Sequence, residues 1–256
     1  MPDWTAFGAV SGILTVLVLL LARSTQSALE APRQSSDAVD EAGVTNPAGA
    51  TQLDAMSSGF LLLNVFVTQG LFLLLLLTAV WYTELPLESL GVELPTTETV
   101  AVGTGLGVTL FGLNRLGGRL GRQFGLGGDE TLRSALAPER LTEWLALLLV
   151  VLPSVAVFEE LLFRGALVGG LAAGFGLSPG LLVAGSSLAF GLGHGVQGWT
   201  GIVVTALLSV VLGVAFVVTG SLTVVVVAHY LVNALEFIVC EGVRGGSGER
   251  GNELAP

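Results

Sequence analysis

The chain has 256 residues, 52% of them hydrophobic and only 12% charged, with a mean hydropathy of +0.81. A soluble domain carries about twice that charged fraction, so a water-soluble globule is excluded and an all-α, polytopic bundle of membrane-spanning helices is expected. Its 20 acidic residues are set against ten arginines and no lysine. That balance excludes a nucleic-acid binder, which needs a basic stripe to neutralise phosphates.

The acidic, Lys-free composition also suits a highly saline solvent, although a GC-rich genome favouring Arg codons produces the same bias. One cysteine, Cys240, rules out an intrachain disulfide or a thiolate metal cluster. It is expected as a small apolar residue near the end of the last span.

In chain order, the first expected span is Trp4–Ala22. No basic region precedes it and no small-residue cleavage site follows, so it reads as a retained span rather than a signal peptide. Residues 23–58 hold too few large apolar side chains to build a core and are expected as a flexible loop. Gly59–Tyr82 is the second span, closed by Trp81 and Tyr82, aromatics that favour the interface. A short acidic loop, Glu84–Glu98, leads to a Gly-rich third span, Thr99–Asn114.

Gly103 and Gly107 are four apart and are expected at a close helix–helix contact. A dinucleotide fingerprint would need a preceding strand, and none is visible. A basic loop, residues 115–138, follows with Arg115, Arg119, Arg122 and Arg133.

From Glu139 the chain is apolar almost to Cys240, broken by turn signals at Gly174–Pro179, Gly195–Gly201 and Thr219–Ser221. The first piece, Glu139–Ala173, would be ~53 Å long as one helix, more than the ~30 Å hydrocarbon core requires. Pro153 offers a kink, so Glu139–Leu152 is expected tilted or half-inserted, with Ser154–Ala173 making the crossing. Gly180–His194, Ile202–Val218 and Leu222–Cys240 complete about seven spans. Residues 1–138 thus form the N-terminal spans, 139–240 the functional core and 241–256 a disordered tail. A seven-span count puts Arg23, Arg33, the four arginines of the third loop, Arg244 and Arg250 on one side. The positive-inside rule makes that side cytoplasmic and the N-terminus external. An eight-span count breaks the pattern.

Ionisable side chains inside such spans cost about 2.5–3.5 kcal/mol for Asp, Arg or Lys at a helix centre, so they point to function. Here they are Glu159, Glu160, Arg164, His194, His229 and Glu236. Glu160 and Arg164, four apart, share a helix face and can pair. Glu159 is rotated about 100° away with no local partner; a desolvated carboxylate there suits a general base. Taken alone, the cluster could equally be a charged collar at a helix end. His229 and Asn233 are also four apart on one face, and alone they could be interhelical glue. The midpoint between Glu159 and His194 falls in the Gly174–Pro179 turn, so a hairpin folded there brings both to one depth. His229 enters from the other side, within about two helical turns of that level.

The motifs Glu159-Glu160-x-x-x-Arg164, Phe190-x-x-x-His194 and His229-x-x-x-Asn233 occur in that order on successive apolar segments. Together they resemble the CAAX protease and bacteriocin-processing family of intramembrane endopeptidases, also called the Abi family. The likeness covers about Glu139–Cys240, and Leu85-Pro86-Leu87-Glu88-Ser89-Leu90-Gly91 resembles the loop before that core. The resemblance implies that Glu159 and His194 activate a water, that His229 and Asn233 donate to the oxyanion, and that Glu160 and Arg164 support them. Family members are commonly labelled metalloproteases. Glu159, His194 and His229 could supply three ligands to Zn²⁺ with water in the fourth position, although no His-Glu-x-x-His helix is present.

The expected partners are therefore the lipid bilayer of the cell membrane and a membrane-associated peptide or protein substrate, of CAAX type or another. The competing reading is a non-catalytic transporter or scaffold that uses the same polar residues for binding. A transporter would often show an inverted repeat with paired broken helices, and no repeat is visible.

Overall fold

A computed structural model describes residues 1–36, 57–123 and 131–242. Its long helices are α1 (Trp4–Ser36), α2 (Ser58–Tyr82), α3 (Thr97–Gln123), α5 (Leu141–Phe175), α6 (Pro179–Gly193), α7 (Gly198–Thr219) and α8 (Leu222–Phe237). A short helix, α4 (Thr131–Ala135), precedes α5. Among the described residues five helical stretches, namely Trp4–Ser27, α2, α5, Gly195–Thr219 and Leu222–Gly242, are long and apolar enough to cross a membrane. The 15-residue α6 and the Gly-rich α3 run beside them as shorter or less apolar rods. The architecture is a polytopic helical bundle.

Burial ranks the helices. In α5, 44% of the most apolar window lies inside the bundle, against 17% for α1 and α2. The central rod is therefore α5, against which α1, α2, α6, α7 and α8 pack, while α3 lies against α8. Leucines such as Leu74, Leu181 and Leu207 stay exposed on the outer faces, as suits side chains whose solvent is hydrocarbon. The main core joins Phe7, Leu76, Phe158, Leu162, Phe190, Phe216 and Val225 from six of the helices.

Each of the three expected turns falls where its residues require. α5 ends at Gly176 (φ 64°) and α7 at Gly220 (φ 66°), both left-handed. Pro179 opens α6, where its missing N–H costs nothing. Ser221 caps α8 by accepting from the Val224 N–H at 3.3 Å.

Three expectations need correction. First, the two expected pieces of α5 are one continuous 35-residue helical rod, unbroken at Pro153. The backbone widens to a π-helix at Leu147–Val151, just before Pro153, and again over Leu161–Gly170. The Leu152 N–H bonds to the Leu147 carbonyl five residues back, so the rod is already out of α-register when it reaches the proline. Second, α1 continues to Ser36, so Arg23–Ser36 is helix rather than loop; neither Gly nor Pro interrupts it before Pro32. Residues 37–56 of that expected loop lie outside the described residues. Third, Arg115 and Arg119 of the expected basic loop belong to α3. Residues 124–130 and the tail beyond Gly242 are also outside the described residues.

The small-residue pair behaves as expected. A Cβ on Gly103 would lie 2.7 Å from the Val224 carbonyl, and one on Gly107 2.8 Å from that of Ala228. Both glycines thus let α3 lie directly against α8, one residue from His229. The Leu85–Gly91 segment forms a 3-10 turn, Leu87–Leu90, that plugs one end of the bundle with Leu85 and Leu90 buried. Gly91 closes it at φ 69°, and its carbonyl accepts from the Leu222 N–H at 2.8 Å.

Candidate active site

The polar residues of the core gather where the second π-stretch of α5 meets α6, α7 and α8. Glu159 and Glu160 close the α-helical part of the rod, and Arg164 stands in the π part. The Arg164 guanidinium donates from Nη1 to Glu160 Oε1 at 2.8 Å, and from Nη2 to the Ser209 Oγ at 2.8 Å and carbonyl at 3.1 Å. All three side chains are fully buried. A buried ion pair survives only when its remaining hydrogen bonds are met, and here a serine on α7 meets them.

Glu160 does more than pair with Arg164. Its Oε1 also accepts from His229 Nδ1 at 2.6 Å, tying α5 to α8, while Oε2 is buried without a hydrogen-bond partner. With Nδ1 engaged, His229 turns Nε2 toward Glu159, whose Oε2 lies 3.6 Å away. That separation is too long for a hydrogen bond. Glu159 therefore has no hydrogen bond among the described residues and keeps 15% of its side chain accessible, against none for Glu160. The pairing of Glu160 with Arg164 expected from the sequence is found, and Glu159 stands apart from it, facing His229.

His194 arrives from α6 by a different route. As the C-cap residue of that helix it donates Nδ1–H to the Phe190 carbonyl at 2.8 Å. A carbonyl can only accept, so the neutral ring carries its proton on Nδ1 and leaves the Nε2 lone pair free. The Phe190 ring lies between the two imidazoles, with centroids 4.7 Å from His194 and 5.9 Å from His229, and Arg164 sits 4.9 Å over its face. Phe163 meets it edge-on at 5.0 Å. The phenylalanine of the Phe-x-x-x-His motif is thus the spacer around which the site is packed.

Glu159, Glu160, Arg164 and His229 come together directly, and His194 joins them through Phe190. Asn233 lies one turn beyond His229 on α8, half-buried, with no hydrogen-bond partner among the described residues. The three side chains considered as zinc ligands, Glu159, His194 and His229, do not meet as one group of three. Among the described residues no set of three His, Cys, Asp or Glu is close enough. Glu159 and His229 supply two neighbouring donors, but His194 is held apart on the Phe190 carbonyl.

The sequence reading passed over Ser209 and Ser186. Ser186 donates to the Phe163 carbonyl at 2.7 Å within the π-stretch. The only signal was a hydroxyl inside an apolar helix, and that is a weak one. Glu236, by contrast, belongs elsewhere. It accepts from Asn114 at 2.8 Å and lies 3.8 Å from both Arg115 and Arg133, with 14% of its side chain exposed at the end of α8. Cys240 is part of the same cluster rather than an apolar filler: it accepts from Arg115 Nη1 at 2.8 Å and donates to Glu236 at 3.3 Å. An apolar groove of about 270 Å³ between α6 and α7, lined by residues such as Val183, Val210 and Val214, is separate from the polar site.

Comparison with known proteins finds a match over the same stretch of chain. The family model for type II CAAX prenyl endopeptidase, Rce1-like, matches residues 141–235, which run from the start of α5 almost to the end of α8. No curated protein and no solved structure gave a match. Every residue of the polar site lies within the matched segment. Over residues 141–235 the chain is therefore similar to the type II CAAX prenyl endopeptidase family, and it is a multi-pass membrane protein.

Proposed function

We propose that this protein is an intramembrane endopeptidase that cleaves a membrane-associated peptide near the cytoplasmic face, using a water activated by Glu159 and His194. One observation carries the reading. Inside the segment matching a protease family, a carboxylate without a hydrogen bond lies 3.6 Å from a histidine nitrogen whose opposite side is fixed by a second carboxylate. A structural ion pair needs one acid; this site holds two acids and two imidazoles in low dielectric.

In the proposed reaction Glu159 and the free Nε2 of His194 draw a proton from water as its oxygen attacks the scissile carbonyl. A base placed in this way typically contributes ~10²–10⁴ in rate. The tetrahedral oxyanion accepts from Asn233 and from His229 Nε2–H, the imidazolium keeping its Nδ1–H on Glu160. Collapse breaks the C–N bond, and the proton taken from water goes to the departing amine. Arg placement supports a cytoplasmic site, because His194 lies at the same membrane face as the Arg115–Glu236 cluster by the antiparallel alternation of α6, α7 and α8.

The test is cleavage of a fluorogenic peptide library by purified protein, comparing wild type with Glu159→Ala and His194→Ala. Both variants should lose activity. Equal cleavage by all three proteins would show that the site is misassigned. Farnesylated and unmodified versions of one cleaved peptide separate a CAAX-type substrate from another membrane peptide. A chelator added to the same assay separates a water held by side chains alone from one held by Zn²⁺.

A further inference from the structure

Ser209 is the one polar side chain on α7 that reaches the buried web, and neither the matching motifs nor the proposed reaction uses it. Its Oγ and carbonyl take both bonds from Arg164 Nη2, and its exposure is zero. Arg164 then bonds to Glu160 Oε1, and the same oxygen holds His229 Nδ1. The contacts form an unbroken line from Ser209 through Arg164 and Glu160 to His229, crossing from α7 through α5 to α8. Because the guanidinium nitrogens move as a unit, the bonds that Nη2 makes to Ser209 help to orient Nη1 on Glu160.

We infer that Ser209 is a positioning residue: through Arg164 and Glu160 it fixes the His229 ring with Nδ1–H on Glu160 and Nε2 turned toward Glu159. Remote partners of this kind commonly set the orientation of a working imidazole, and their loss typically costs 10–100-fold in function. The inference rests on the proposed role of His229 only for its effect on catalysis. The effect on the imidazole itself is independent of that role.

The chain has only two histidines, so ¹⁵N-histidine labelling of the full-length protein in lipid nanodiscs gives two imidazoles, assigned by loss of one set in His194→Gln. In Ser209→Ala the His229 ring ¹⁵N–H signals, held in wild type by the Nδ1–H bond to Glu160, should shift and broaden as that bond loosens, with His194 much less affected. Ser209→Thr, which keeps the hydroxyl, should restore the wild-type pattern. On a cleavable peptide, Ser209→Ala should lower kcat by ~10-fold or more with little change in KM, and Ser209→Thr should recover most of it. Unchanged His229 signals in Ser209→Ala would overturn the inference. So would equal loss of kcat in the Ala and Thr variants. If wild type cleaves nothing yet the His229 signals move as expected, the relay stands and the protease reading fails.

Discussion

Two groups of charged residues in this bundle look alike on paper and differ in what surrounds them. At the end of α8, Glu236 sits among Arg115, Arg133, Asn114 and Cys240, with 14–31% of the paired side chains exposed. In the middle of the bundle Glu160 sits among Arg164, Ser209 and His229, with almost nothing exposed. Water can replace any partner in the first group, so each contact there is worth little. No such replacement exists in the second, where an orphaned charge pays its whole desolvation cost. Charge inside a membrane bundle is therefore not one kind of signal. The end cluster fastens α3 and α4 to the close of α8, whereas the central one fixes the geometry of a histidine.

The widest test of that contrast is Arg164→Met. It leaves Glu160 buried and unpaired, and the expected loss is about 3–5 kcal/mol of stability, visible as a large drop in thermal unfolding temperature in detergent. A small shift would mean that water reaches the central cluster. Glu159→Gln should separate chemistry from structure: peptide cleavage falls by ~10²–10⁴ while the melting temperature holds, since Glu159 makes no hydrogen bond among the described residues. Loss of both together would return Glu159 to a structural role.

Gly169→Ala sharpens the picture from the backbone side. Its Cβ would press on the Ser89 carbonyl of the plugging turn, and overpacking of this kind typically costs about 1–3 kcal/mol. An unchanged melting curve would show that the Leu85–Gly91 turn is free to shift. The smallest effect is expected for Arg115→Ala, within about 1 kcal/mol and shrinking further with added salt. A salt-independent loss as large as that of Arg164→Met would erase the distinction between the two clusters.

Much of this was legible in the residues. Gly176, Gly220, Pro179 and Ser221 mark helix ends because left-handed backbone, a fixed φ and a capping hydroxyl are local requirements. The i, i+4 spacing of Glu160 and Arg164 fixed their pairing for the same reason. The boundary of α1 was missed because Arg23–Ser36 has Leu29 as its one large apolar residue yet contains nothing that stops a helix before Pro32. Hydropathy reports where a chain meets lipid, not where its backbone hydrogen bonds end. The π-stretches of α5 were illegible because a wider turn has no composition of its own.

By itself the sequence determined the solvent of the chain, the main turns between its apolar helices and the list of polar residues that had to find partners inside them. Local rules decide those things: length of apolar run, backbone preference and the cost of a bare charge in hydrocarbon. Only the tertiary structure decided which partner each residue took. It turned Glu160 into the joint holder of Arg164 and His229, set Glu159 opposite His229 Nε2, put the Phe190 ring against both imidazoles and brought in Ser209. Those choices depend on how four helices rotate about their axes, and that rotation is set by packing across the whole bundle.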